Sequence, residues 1–520
     1  VSVFSFAWWL SFVIGFLSLS TEIVWVRIIG FGYETLPPAF SFVLACYLVG
    51  IALGAALGKR LCERTQNLYG AAALMLSLSA LVDVVSPTYV SGVIATDTAA
   101  LSLPALAIIC TAALKSSLFP IVHHLGSVAT GPRVGRSVSR IYFGNIMGAT
   151  LGPLVTGFIA FDYLSTDECL GVAAAIALLA AAACVLKSSR HQLIGVPLLA
   201  SMIASAIAMR SIVPGAGSLA SLANGGSGAM TGYIANSHGI IHTALTRGGE
   251  FIFGGNVYDG IATTNVDTNP NGLDRVYLLA LVHPHVKRVL SVGLSGGAWI
   301  RALQGFPEIE RIDVIEINPG YVELARRYPQ LAGFLKDSRV HIHIDDGRRW
   351  LRRNPTARFD AIVQNTTYHW RANVGNLLSR EYFLECSQHL SPGGIFLGNT
   401  TGSYDVFTTA QSVFPATYRY ANFMFASDHS LVKDMTRLWQ VRRPDGKLFH
   451  PGEAQHTSVL VRLSTVPMEP AAQFLARHKT AGEIITDDNL LSEYRHGRRF
   501  GPAGLQSLLP PTPADFPFID

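Results

Sequence analysis

The chain has 520 residues, a formal net charge of +5, 49% hydrophobic residues and only 14% charged ones. A soluble domain carries about 25% charged residues, so a mean hydropathy of +0.33 excludes a chain built for water throughout. The positive charge is small for this length and forms no basic stripe, which excludes a nucleic-acid partner.

Charges are scarce as far as Arg210 and ordinary in number beyond Arg247. The chain therefore reads as one part for lipid and one for water. A helix needs about 20 mostly apolar residues to cross a bilayer. The pattern predicts a transmembrane helical bundle over residues 1–210, with about seven segments at 7–29, 38–58, 69–86, 99–119, 141–160, 169–186 and 193–209. A cleaved signal peptide would not account for so many. Basic residues gather after the second segment (Lys59, Arg60, Arg64), the fourth (Arg133, Arg136, Arg140) and the sixth (Lys187, Arg190). Acids (Glu34, Asp97, Asp162, Asp167, Glu168) hold the opposite ends, so the basic loops are expected in the cytoplasm. A seventh crossing would then carry the soluble part outside. Either 193–209 fails to cross fully, or an earlier segment is misassigned, or the soluble part is external.

Within the first span, Glu22 and Arg27 flank Trp25. Charges at membrane depth need a partner or a cavity. A fixed Glu–Arg pair is favoured over a substrate or proton site. Gly50, Gly54 and Gly58, spaced by four, suit close helix packing. The six cysteines are scattered with no Cys-x-x-Cys pair, and read as small packing residues rather than disulfides or a metal site.

Residues 211–232 read as a linker, 233–285 as a small β subdomain, 286–465 as a Rossmann-like nucleoside-binding domain and 466–520 as a C-terminal tail. A short apolar strand (286–293, VKRVLSVG) runs into the turn Gly293, Leu294, Ser295, Gly296, Gly297, and a helix follows. A second strand (312–317) contains Glu316, at about the 20-residue distance where Rossmann-like folds bind a ribose hydroxyl. A third (340–344) leads to Asp345, Asp346 and Gly347, where an acid can receive an adenine amino group. The fourth (359–363) precedes residues 364–370, QNTTYHW, and SPGG (391–394) introduces a fifth. Alternating strands and helices predict a doubly wound parallel sheet of the S-adenosylmethionine methyltransferase type. The turn lacks the full phosphate cradle and a Walker lysine. A nucleoside without pyrophosphate fits better, which points to S-adenosylmethionine or its decarboxylated form.

On these residues the run from Tyr233 to Gly398 resembles the spermidine synthase family. Residues 234–245 and 250–260 (EFIFGGNVYDG) are similar to its paired N-terminal strands and Leu-Asp-Gly turn. Residues 21–30 (TEIVWVRIIG) and 48–61 (LVGIALGAALGKRL) resemble the leading spans of its membrane-fused members. The resemblance implies a donor site at Gly293, Ser295, Gly296, Gly297, Glu316, Asp345, Asp346 and Gly347, and a homodimer. It also marks departures. Ser295 stands where the family has an aspartate that meets the cationic end of decarboxylated S-adenosylmethionine. Asn365, Thr366, Thr367, Tyr368 and His369 replace the run with the catalytic aspartate. Residues 274–279 (DRVYLL) replace the Tyr-His-Glu of the polyamine side.

Asn365 cannot take a proton from an attacking amine. His369 is the candidate base, with an ordinary loop histidine as the equal reading; Asn365 and Tyr368 are candidate positioning groups. Arg371, Asn373 and Asn376 suit an acidic or polar acceptor, or simply satisfy loop backbone. Ser295 predicts that intact S-adenosylmethionine binds at least as well as the decarboxylated donor. The expectation is a membrane-tethered transferase moving an aminopropyl, methyl or other alkyl group to a small or amphipathic acceptor at the bilayer. The donor is made in the cytosol, which places the soluble part there. The alternative is a transporter or sensor whose soluble domain only binds the nucleoside.

Overall fold

The computed structural model describes residues 3–96, 101–130, 134–188, 229–365, 368–453, 456–478 and 482–489, with isolated positions 201, 202, 204, 219, 222, 223 and 493. The chain divides largely into two units, Val1–Ala223 and His238–Arg498.

The first unit is helical. Helices α1 (Val3–Gly32), α2 (Pro37–Arg64), α3 (Leu68–Thr96), α4 (Ser102–Ser116), α5 (Leu118–Thr130) and α6 (Val134–Val155) precede a last helix, Thr166–Lys187. Helix α5 continues α4 after a local break, and α6 runs on through a π-turn at Thr156–Ala160. Among the described residues six stretches are long and apolar enough to cross a membrane: Val3–Gly32, Pro37–Arg64, Leu68–Ala95, Ser102–Val128, Gly135–Tyr163 and Thr166–Lys187. The expected seventh, 193–209, lies almost wholly outside the described residues.

Small residues set the helix crossings. A Cβ on Gly54 would lie 2.3 Å from the Ala113 carbonyl oxygen, and one on Gly58 would lie 2.2 Å from that of Ser117. The four-residue glycine spacing of α2 is therefore a seat for α4 and α5. The same device holds α1 against α6, where a Cβ on Gly148 would come within 2.0 Å of the Phe12 carbonyl oxygen.

In the bundle the Arg27 guanidinium lies 4.2 Å from the centre of the Phe161 ring. A fully buried pair that the sequence reading did not single out is Lys115 with Asp83, at 2.7 and 2.8 Å to the two carboxylate oxygens. The Thr111 hydroxyl oxygen accepts from Lys115 at 2.6 Å and the hydroxyl donates to Asp83. Removing one member of such a pair leaves an uncompensated charge in an apolar interior, at a cost of about 3–5 kcal/mol. Lys115→Ala should therefore lower the melting temperature of the detergent-solubilised protein more than the paired exchange Asp83→Leu with Lys115→Met. Equal losses in a thermal melt would remove this account.

The second unit opens with a four-stranded sheet in the order β1 (Ala229–Asn236), β2 (Gly239–Thr246), β3 (Gly249–Gly254), β4 (Val257–Ile261). Gly255 and Asn256, with φ of 56° and 69°, make the left-handed turn that a tight β3–β4 hairpin needs. The larger sheet contains β5 (Arg288–Val292), β6 (Arg311–Glu316), β7 (Val340–Ile344), β8 (Phe359–Gln364), β9 (Leu390–Asn399), β10 (Ala416–Tyr420), β11 (Phe423–Ser427) and β12 (Glu469–Pro470), in the order β12-β10-β11-β9-β8-β5-β6-β7. Strands β9, β8, β5, β6 and β7 are parallel. The expected all-parallel sheet is corrected at one edge, where β11, β10 and β12 run antiparallel. Strand order reverses between β5 and β8, and open α/β sheets bind ligands at the carboxyl end of such a switch point. Part of the segment read as a tail is built into the core: Ala471, Phe474 and Ile485 pack in one buried cluster with Phe383 and Phe407.

Candidate active site

The carboxyl edge of the parallel strands gathers most of the residues singled out in the sequence. The β5 loop turns sharply, with φ of +94° at Gly293, +50° at Ser295 and +86° at Gly297. A side chain is also excluded at Gly297, where a Cβ would meet the Phe334 ring at 2.2 Å. Ser295 holds a conformation that costs an L-residue roughly 1–2 kcal/mol. Its hydroxyl compensates by donating to the Asp259 carbonyl at 2.6 Å, which ties the loop to β4.

Glu316 ends β6 with its side chain buried. Its two oxygens accept from the backbone N–H of Leu294 and of Asn318, each at 2.8 Å. The carboxylate thus holds the glycine loop in place while keeping lone pairs for a ligand hydroxyl. Burial pushes its pKa up to about 7; the Asn318 and Leu294 N–H groups oppose that rise and the nearby Asp259 charge adds to it.

Asp259 was not singled out in the sequence beyond the resemblance of its turn. It stands beside the Ser295 loop and the Tyr321 hydroxyl, and burial pushes it up to about 6 against the Tyr321 hydrogen bond and the charge of Arg371. The only signal available was the Tyr-Asp-Gly turn itself. Nothing local shows that β4 brings the Asp259 backbone against a loop 36 residues further on.

The acids after β7 are arranged differently from each other. Asp346 caps the helix Gly347–Arg353, accepting from the Arg349 N–H at 2.8 Å. Asp345 pairs with the side chains of Arg349 and Arg353. Its backbone N–H donates to the Glu316 carbonyl at 3.1 Å, which keeps this loop next to β6. Gly347 lies against β5, where a Cβ would stand 3.0 Å from the Val292 side chain, and one on Gly296 would stand 2.7 Å from Ile252.

The residues after β8 form the other wall. The Asn365 carbonyl oxygen lies near Gly293, 3.9 Å from where a Cβ would be. Thr366 and Thr367 lie outside the described residues. Tyr368 stacks on Trp370 with ring centres 5.3 Å apart. His369 is buried and its Nδ1 is hydrogen-bonded to the Thr401 hydroxyl oxygen. With that hydroxyl turned to donate to the Thr400 carbonyl at 2.8 Å, its oxygen accepts and the tautomer assigned to the ring carries its proton on Nδ1. The Nε2 lone pair is then the basic one. Glu493 accepts from the backbone of Asn373 and Gly375 at 2.9 and 2.7 Å and shapes the loop from a distant part of the chain. Asp274, in the run that replaces Tyr-His-Glu, is a structural group that accepts from Asn269, Tyr420 and Arg462.

A family model described as the spermine/spermidine synthase domain matches residues 276–414, which hold this edge from β5 to β9. The chain carries a spermine/spermidine synthase domain. The polyamine aminopropyltransferase of Clostridium botulinum is 32% identical over 130 residues, 25% of this chain and 45% of that protein. That of Agathobacter rectalis is 34% identical over 117 residues, 22% of this chain and 40% of the relative. The chain thus spans less than half the length of these curated relatives. Spermidine synthase from Thermotoga maritima aligns over 45% of this chain and 87% of its own, at 18% identity and a TM-score of 0.37.

The two raised carboxylates, Glu316 and Asp259, give a pH signature. Binding a sulfonium cation favours their ionised forms, so affinity for a nucleoside sulfonium should rise as pH increases through 6 and 7. Stability without ligand should move the other way. Carboxylates raised in the folded state bind more protons there than in the unfolded chain, so stability falls as pH rises through the same range. Glu316→Gln should flatten both curves, as read by calorimetric titration and thermal melts across pH. A wild-type affinity independent of pH would contradict the placement of these two acids.

Proposed function

We propose that this chain is a membrane-tethered transferase that moves the aminopropyl group of decarboxylated S-adenosylmethionine to an acceptor bound beside β8 and β9. The observation that carries this reading is the carboxylate pair at the donor edge, Glu316 holding the glycine loop and Asp259 standing beside Ser295. Ser295 on its own suggests tolerance of intact S-adenosylmethionine. Asp259 changes that expectation, because a carboxylate from β4 restores the negative charge that the loop itself lacks. It attracts the primary ammonium of the decarboxylated donor and repels the α-carboxylate of the intact one. The match to the synthase domain and the aminopropyltransferase relatives supports the same donor.

In this reading Glu316 binds the ribose hydroxyls, and Asp346, with one oxygen committed to its helix, offers the other to the adenine side. The donor supplies an electrophilic carbon next to its sulfonium. His369, with Nδ1–H directed to Thr401, offers Nε2 to take a proton from an incoming amine. Tyr368 and Asn365 position the acceptor. The six apolar helices support a membrane anchor. Lys59, Arg60, Arg64, Arg136, Arg140 and Lys187 gather at the ends of spans that would then be cytoplasmic; with the six crossings of the described residues and none at 193–209, the synthase domain lies on that same side.

Mass spectrometry of products formed from labelled donor tests the reading. The decarboxylated donor should give an acceptor with an added aminopropyl group and intact S-adenosylmethionine should not. His369→Ala should lower turnover by about 10²–10⁴-fold with donor affinity little changed. Methyl transfer from the intact donor, or full turnover in the variant, would reject the donor and base assignments respectively. For orientation, a reporter fused after Asp520 should be active in the cytoplasm; activity only on the far side of the membrane would overturn the six-span topology.

A further inference from the structure

Where the acceptor wall ends in Asn365, a chain of amides fixes which atoms that residue presents. The Arg275 guanidinium donates to the Asn422 side-chain oxygen at 2.8 Å. The Asn422 amide nitrogen donates to the Asn399 oxygen at 3.3 Å, and the Asn399 nitrogen donates to the Asn365 oxygen at 3.3 Å. An amide can be flipped end for end, but these have fixed partners at two points. A guanidinium only donates, so Asn422 must turn its oxygen to Arg275. A backbone N–H only donates, and that of Thr401 reaches the Asn399 oxygen at 2.9 Å. Both anchors impose the same sense. The Asn365 oxygen is used inside the chain, and its N–H groups are what it offers to a ligand.

The charge at the far end of the chain is positive. Arg275 is largely withdrawn from solvent and its face lies 4.6 Å from the centre of the Phe423 ring. The adjacent carboxylate, Asp274, already accepts from Arg462 at 3.1 Å as well as from Asn269 and Tyr420. One carboxylate thus faces two guanidinium groups. The row Asn365, Asn399, Asn422 and Arg275 contains no carboxylate, and the acids of the site, Glu316 and Asp259, stand on the donor side.

We infer that the acceptor carries an anionic oxygen group, a carboxylate in the simplest case, which docks on the Asn365 amide N–H groups in the field of Arg275. An aspartate at this position accepts N–H from an amine; here the position donates. A second ammonium, as in a diamine, would meet N–H donors and a buried cation. The inference rests on the transferase reading and names its acceptor class.

A matched pair of probes tests it: 4-aminobutanoate and putrescine share a four-carbon spacing from their amine and differ in a carboxylate against an ammonium. Full-length protein in detergent is first titrated with 5′-methylthioadenosine, the nucleoside the donor leaves behind. The loaded protein is then titrated with each probe. The carboxylate probe should bind about tenfold tighter or more, as expected for a charge-assisted hydrogen bond. Asn365→Asp should abolish or reverse that preference with methylthioadenosine affinity unchanged. Equal binding, a preference for putrescine, or no binding of either probe would overturn the inference while leaving the donor site standing. Failure to bind methylthioadenosine would overturn the transferase reading itself, and the inference with it.

Discussion

The buried carboxylate of Glu316 organises the carboxyl edge of the large sheet. It closes the glycine loop through Leu294 and sets the start of the next connection through Asn318. The loops after β5, β6 and β7 are thereby held together, since the Glu316 carbonyl also receives the Asp345 N–H. A buried carboxylate is tolerated only where hydrogen bonds satisfy it. Here those donors come from the same loops that a nucleoside must touch. The packing of these loops and the binding of a ligand consequently share one carboxylate.

Around this group the site divides by charge. On the β5–β7 side stand Glu316 and Asp259. On the β8–β11 side stand amides, hydroxyls, His369 and a guanidinium. Such a division suits a reaction between a cationic donor and an acceptor of different polarity, because each wall repels the other's ligand. In the proposed reaction Asn365 and Ser295 have unequal consequences, because Asp259 of β4 stands beside Ser295 while the Asn365 side chain is bonded to the Asn399 amide.

The helical unit follows a different economy. Its helices meet through close approach of glycine-bearing faces and a buried polar cluster, the devices that serve where apolar surroundings would give no contrast to drive helices together. Gly54 and Gly58 on α2 and Gly148 on α6 admit neighbouring backbones, and Lys115 with Asp83 and Thr111 satisfies a charge that would otherwise be unaffordable there.

Much of the architecture was legible in residue order alone. The apolar runs marked the long helices because crossing lengths depend on composition. The parallel strands, the glycine turn and Glu316 were readable because each depends on neighbours within one βα unit. Other features needed the folded chain. The antiparallel edge formed by β10, β11 and β12 depends on pairings between distant segments. Lys115 finds Asp83 across 32 residues, a pairing that no local pattern marks. Asp259 reaches the Ser295 loop only because β4 is folded against it. The Asn365 amide acquires its sense from Arg275 and Thr401 through Asn422 and Asn399. Composition and local periodicity determine which solvent each half of the chain is built for and where a nucleoside turn lies. Which charges meet, and which end of an amide faces a ligand, are decided by contacts between segments far apart in sequence, and only the tertiary structure brings those segments together.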